Sequence, residues 1–132
     1  MEVCAMKQTL VIHGRLPGLN EYINANRANR FAGAKMKKDT QAMIWASIAE
    51  KAKPMQGKVC LDFRWYEPNT RRDLDNCSYA KKFILDTLVE HHIIETDGWR
   101  GVEGFTDKFY VCKDQPRIEV DIEEVGIWKE NC

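Results

Sequence analysis

Hydrophobic and polar positions follow two periods along this chain of 132 residues. Residues 58–66 (KVCLDFRWY) alternate strictly, with Val59, Leu61, Phe63 and Trp65 set against Cys60, Asp62, Arg64 and Tyr66. That alternation predicts a strand with one buried face. Residues 8–13 (QTLVIH), short, apolar and β-branched, predict a first strand. Residues 102–112 and 117–125 predict two more, with KDQP as the turn between them. Elsewhere the period is helical. Trp45, Ile48, Ala49 and Ala52 recur at i, i+3, i+4 and i+7 and predict a helix over 34–53, ended by Pro54 and Gly57. Ala80, Phe83, Ile84, Thr87 and Leu88 predict a second helix over 77–91. Residues 14–33 contain one proline and four asparagines and read as irregular, and a polar segment of that length in a small domain is more often functional or mobile than idle. The order β, loop, α, β, α, β, β predicts an α/β fold of the α+β type, with helices packed on a mixed sheet in a single domain over 1–132.

Composition adds exclusions. At 44% hydrophobic and 30% charged, the chain is ordinary for a globular protein. No apolar run approaches the roughly 20 residues of a membrane span, and the acid at position 2 argues against a signal peptide. Cys4, Cys60, Cys77, Cys112 and Cys132 form no C-x-x-C pair, so free thiols in the cytoplasm are expected rather than zinc. The adjacent His91 and His92 would point to different faces of a helix and fit a helix end better than a metal. Net charge is zero, so any contact with nucleic acid must come from local patches.

One short stretch concentrates charge: RRDLDN, residues 71–76. In extended backbone Asp73 and Asp75 project to the same side, and paired carboxylates suit Mg²⁺ or Mn²⁺. A helix cap accounts for one aspartate but not for two with arginines beside them. An EF-hand fails, because Ser78 and Ile84 stand where it needs glycine and glutamate. A sugar-nucleotide D-x-D site belongs to a larger domain than this chain holds. Cleavage of a phosphodiester remains, and it needs a further carboxylate: Asp97 first, Glu95 as the weaker choice. Lys82 lies seven residues beyond Asp75, nearly two helical turns, and so shares its face. It is either a charge for a scissile phosphate or an ordinary solvated lysine.

These residues resemble the RusA-type Holliday-junction resolvases of phage and prophage. The likeness is carried by R-D-L-D-N at 72–76, K-F-I-L-D-T-L at 82–88, Asp97, P-G-L-N-E-Y at 17–22, GFTDKF at 104–109 and P-R-I-E-V at 116–120. It implies a homodimeric endodeoxyribonuclease that requires Mg²⁺ and resolves four-way DNA junctions by paired nicks in recombination and repair. By position it implies Asp73, Asp75 and Asp97 as catalytic metal ligands and Lys82, four residues before Asp86, as the catalytic lysine. The chain departs from the family in two places. Three extra residues precede Lys82, which makes Lys81 its rival, and Thr96 stands where many members carry an aspartate.

The cations follow the same reading. Arg71 and Arg72 are expected to hold phosphate beside the metal. Arg27, Arg30, Lys35, Lys37 and Lys38 form either a phosphate track or a plain solvated basic segment. A non-cleaving junction-binding protein and a nuclease for flaps are the alternatives. Phe105, Phe109, Tyr110, Val111, Ile118, Val120 and Ile122, with Trp128 beyond them, are more apolar surface than one small core absorbs. That surplus points to a dimer contact.

Overall fold

Strand β2 (Val59–Glu67) is the axis of the fold, and its inward residues Val59, Leu61, Phe63 and Trp65 are all buried, as their alternation predicts. The computed structural model describes residues 5–125, so Cys4, Trp128 and Cys132 lie outside the described residues. Strands β1 (Lys7–His13), β3 (Val102–Val111) and β4 (Arg117–Glu124) join β2 in one sheet of order β1-β4-β2-β3. Strand β4 runs antiparallel to both β1 and β2, whereas β3 runs parallel to β2. This is the mixed sheet of an α+β domain.

Strands β3 and β4 follow one another in sequence but do not pair, because β2 lies between them. The link 112–116 crosses the end of β2: Cys112 N–H donates to the Glu67 carbonyl at 2.7 Å, and Gly14 N–H to the Pro116 carbonyl at 2.9 Å. Ile118, Val120 and Ile122 are buried, while β3 has no buried residue. The more apolar strand takes the inner place, where it removes more surface from water.

Helices α2 (Arg30–Ile48) and α4 (Lys81–Glu90) close one face of the sheet. The buried line on α2 is Gly33, Thr40, Ile44 and Ile48, so the stripe is centred on Ile44. Trp45 sits at the rim with its ring stacked on His91 at 3.8 Å, and Ala49 is exposed. The segment expected as one helix over 77–91 divides into α3 (Leu74–Ser78) and α4, with a break at Tyr79–Ala80. Ala80, Phe83, Ile84, Thr87 and Leu88 are all buried, as predicted. The two histidines do end the helix. His91 is its C-cap, and His92 takes φ 59°, which lets Ile93 N–H reach the Leu88 carbonyl at 2.8 Å.

The stretch 14–33 is irregular only over 14–18 and at Asn29. It forms α1 (Leu19–Ala28), and α2 begins at Arg30 rather than at position 34. Asn29 is the joint: it ends α1, and its side chain accepts Ala32 N–H at 2.8 Å to start α2. Helix α1 buries no residue and is rich in asparagine, a poor helix former. Its support comes from elsewhere: Tyr22 packs on the rings of Tyr79 and Phe83 at 5.7 and 5.6 Å.

The other face of the sheet carries a cross-strand ion-pair ladder. Arg64 grips Asp121 through two bonds of 2.7 and 3.0 Å and reaches Glu119 at 3.0 Å. Arg64 hydrogen bonding holds the Asp121 carboxyl below the usual range. Among the described residues, no helix is long and apolar enough to cross a membrane.

Phe63 is fully buried at the centre of β2, so Phe63→Ala should cost about 3–5 kcal/mol in urea unfolding. A loss below about 1 kcal/mol would show that the core is not organised around this strand.

Candidate functional site

Asp73 and Asp75 stand where the chain leaving β2 turns into α3. Asp73 is the last extended residue (φ −66°, ψ 157°), and its carboxylate makes no capping bond. Asp75 already lies in the first helical turn and accepts Asn76 N–H at 2.9 Å. The common direction predicted from extended backbone is lost, because the helix begins at Leu74. Both carboxylates are exposed, and among the described residues no cation pairs with either.

Other polar groups of RRDLDN face inward. The Arg72 guanidinium donates to the Leu16 carbonyl at 3.0 Å and to Glu21, with Glu67 at 4.0 Å, and its side chain is only 15% exposed. Arg72 is thus engaged by the protein itself rather than presented to phosphate. Asn76 Oδ1 accepts Asn20 N–H at 3.1 Å, across 56 residues of sequence. A Cβ on Gly18 would lie 2.5 Å from that same oxygen and 2.8 Å from the Asn76 carbonyl, so only glycine lets the segments touch. The PGLNEY and RRDLDN stretches are therefore docked on one another. Arg71 is exposed, and its backbone N–H donates to Asn69 Oδ1 at 3.0 Å.

A hollow of about 350 Å³ opens beside Asp73, bordered by Leu74, Cys77, Phe109, Tyr110 and Val111. Burial, with the charge of Glu67, pushes the Cys77 thiol up to about 11, so it is neutral at ordinary pH.

The two rival lysines have different surroundings. Lys81 Nζ lies 2.5 Å from Asp107 Oδ2 and above the rings of Phe63 and Phe105, and Asp107 also accepts Trp65 Nε1–H at 2.8 Å. Lys81 is thus part of the packing. Lys82 is 59% exposed, with its ammonium 3.1 Å from both Asp86 and Asp97. Hydrogen bonding to Asp97, then to Asp86, raises its pKa and keeps it charged. Asp86 in turn lies 3.3 Å from Lys37 on α2. The break at Tyr79–Ala80 interrupts the helical face counted from Asp75 to Lys82.

Asp97 sits in the loop that returns from α4 to β3. Gly98 N–H donates to Thr96 Oγ1 at 3.2 Å, and a Cβ on Gly101 would come within 2.0 Å of the Thr96 carbonyl. Asp97 borders a separate hollow of about 290 Å³ with Trp99, Val102 and Phe105. Glu95 is exposed in the same loop. Among the described residues, no three His, Cys, Asp or Glu side chains converge as a metal-binding group. The expected set of three carboxylates is not gathered within one chain. Asp73 lies with residues 109–111 and Asp97 with residues 102–105. At about 3.3 Å per residue, the four steps from Phe105 to Phe109 are about 13 Å of strand. Asp73 and Asp75 by themselves still fit a hard divalent ion that takes two carboxylates and keeps its waters.

The basic segment is only partly available. Lys35 pairs with Asp39 at 2.7 Å and Lys37 with Asp86. Among the described residues, Arg27, Arg30 and Lys38 are exposed without a carboxylate partner, and Arg30 lies over the exposed Phe31 ring at 5.0 Å. Sequence reasoning missed Glu21, Asn76 and Asp107. Asp107 had a signal, a lone acid at an inward position between Phe105 and Phe109; the others had none, since their partners are distant in sequence. No protein-family model matches the chain, and no curated protein matches it in sequence.

The docking of α1 can be tested at its tightest point. Gly18→Ala should lower stability by about 1–3 kcal/mol and speed amide exchange across residues 19–28. Unchanged exchange there would refute the docking.

Proposed function

We propose that the chain is a Mg²⁺-dependent endodeoxyribonuclease for branched DNA, of the RusA type its motifs resemble, acting on four-way junctions in recombination and repair. The observation that carries this reading is the exposed Asp73–Asp75 pair, unneutralised among the described residues and set on the docked frame of Arg72 and Asn76. Two neighbouring surface carboxylates repel each other, and the single hydrogen bond from Asn76 N–H to Asp75 leaves their charge without a cation among the described residues. Mg²⁺ or Mn²⁺, when bound there, supplies Lewis acidity and a bound water of lowered pKa. Arg71 is free to hold a phosphate oxygen that the carboxylates alone would repel. Arg27, Arg30 and Lys38 are the cations left for the remaining backbone contacts, with Lys35 and Lys37 already paired. Lys82 carries an exposed, fully charged ammonium for the charge that develops on the phosphate, whereas Lys81 is committed to Asp107. A cytoplasmic homodimer completes the reading, because a two-fold junction needs two symmetric nicks.

Asp73→Asn and Asp75→Asn should each reduce nicking of a labelled four-way junction by about 10²–10³-fold, matching several kcal/mol of lost transition-state stabilisation. Junction binding should persist or tighten, since a negative charge near phosphate is removed. EDTA should abolish cleavage. A wild-type protein that binds junctions but never cuts them in Mg²⁺ or Mn²⁺ would replace this reading with that of a structure-recognising binding protein.

The lysines separate in a second experiment. Lys82→Ala should lower the cleavage rate far more than affinity. Lys81→Ala should instead lower the melting temperature, because it unpairs Asp107. The reverse pattern would give Lys81 the catalytic role.

A further inference from the structure

Helix α4 opens on two cations. Lys81 and Lys82 occupy its first turn, which holds no acid. The N-terminus of a helix carries positive partial charge, so this is the unfavourable end for an ammonium. The order of the Lys82–Asp86 pair, lysine before acid at i, i+4, is likewise the weaker orientation on a helix. Helix stability therefore does not account for Lys82. Two carboxylates hold it, Asp86 Oδ1 and Asp97 Oδ2, each at 3.1 Å.

The two carboxylates are not equivalent. Asp97 hangs in the returning loop beside an open hollow, with 32% of its side chain exposed. Asp86 is carried on the helix between the buried Leu85 and Thr87, and is 19% exposed. Its other oxygen, Oδ2, is wholly buried and accepts no hydrogen bond among the described residues. A buried carboxylate oxygen left unmatched is costly. What faces it is the ammonium of Lys37, 3.3 Å away on α2. Lys37 lies four residues after Gly33 and three before Thr40, so it extends the buried line of α2 and sends its stem toward α4. Asp86 is thus clamped between one cation behind it and one in front. The two lysines and two aspartates balance in charge. Without Lys37 the group is net negative and repels a phosphate.

We propose that Asp86, fixed from behind by Lys37, is the positioning residue of Lys82 and keeps its ammonium in place when Lys82 leaves the loop carboxylate Asp97 for a phosphate. The catalytic half of this inference rests on the nuclease reading; the clamp of Lys37 on Asp86 does not. Lys37, expected from the sequence on a phosphate track, thereby acts on Lys82 through Asp86 instead of on DNA.

The clamp is read without DNA or metal, in thermal unfolding. Lys37→Met should lower the melting temperature, because Asp86 Oδ2 is left buried and unmatched. The double variant Lys37→Met/Asp86→Asn should melt no lower than Asp86→Asn alone, since both substitutions remove one pair. An unchanged melting temperature for Lys37→Met, or losses that add, overturns the clamp.

Positioning is read in single-turnover cleavage of a four-way junction in Mg²⁺. Asp86→Asn and Lys37→Met should each slow the cut by about 10–10²-fold with junction affinity unchanged. A Lys37→Met protein that binds more weakly, with the slope of log affinity against log salt reduced by about 1, makes Lys37 a phosphate contact and overturns its assignment to Asp86. In a Lys82→Ala background, Asp86→Asn should slow the cut no further, because its effect passes through Lys82. Further slowing there marks a merely structural role and overturns the positioning. An Asp86→Asn protein that cuts at the wild-type rate does the same, and both results leave the nuclease reading intact. A wild type that cuts nothing overturns the nuclease reading and the positioning role with it, and the melting temperatures alone then decide the clamp.

Discussion

Strand β3 can lie parallel to β2 only if the chain is carried back from one end of the sheet to the other, and that crossover governs the rest of the molecule. The return is made by α3, α4 and the loop ending at Gly101. The acidic positions and the two rival lysines lie on this path. Asp73 and Asp75 stand where the chain leaves the sheet, Lys81 and Lys82 open α4, and Asp97 lies just before it rejoins the sheet. The ends of a parallel crossover lie at opposite ends of its strands. Two acidic positions separated by one crossover are thus held apart within a chain by the same hydrogen bonds that make the sheet.

The crossover is held down by charge as well as by apolar packing. Arg72 sits among Glu21, Glu67 and the Leu16 carbonyl, so one guanidinium fastens the start of α1 to the start of α3. Asn76 repeats the fastening through Asn20, where Gly18 permits the approach. Removing either partner would leave a part-buried polar group unmatched, which costs more than the bond itself contributes. This explains why helix α1, which has poor intrinsic propensity and buries no residue, is still a helix.

Along α4 the two adjacent lysines take opposite parts. Neighbouring helical positions point about 100° apart, so one reaches across to β3 while the other reaches the returning loop. Lys81 neutralises an inward acid over two aromatic rings, and Lys82 stays outside between Asp86 and Asp97. The chain thus spends one cation on its own packing and leaves the next exposed.

What could be read from the sequence alone was a part of what depends on near neighbours. The strict alternation at 59–65 predicted β2 and its buried face, and the spacing of Ala80, Phe83, Ile84, Thr87 and Leu88 predicted the inner side of α4. The exposed Asp73–Asp75 pair was also legible, because its distinctiveness lies in composition within six residues. Helix α1 was not, since it has no apolar stripe and owes its stability to Tyr79, Phe83, Arg72 and Asn76, more than 50 residues away. Tertiary structure alone decided that Arg72 faces inward, that β2 separates β3 from β4, and that Asp97 stands apart from Asp73. The physical reason is the same in each case. A residue's local pattern specifies its element and the face it buries, whereas the partner it meets depends on the order and direction of strands. That order is settled by which strands exclude the most apolar surface from water together, a property of the whole sheet and of no single stretch of it.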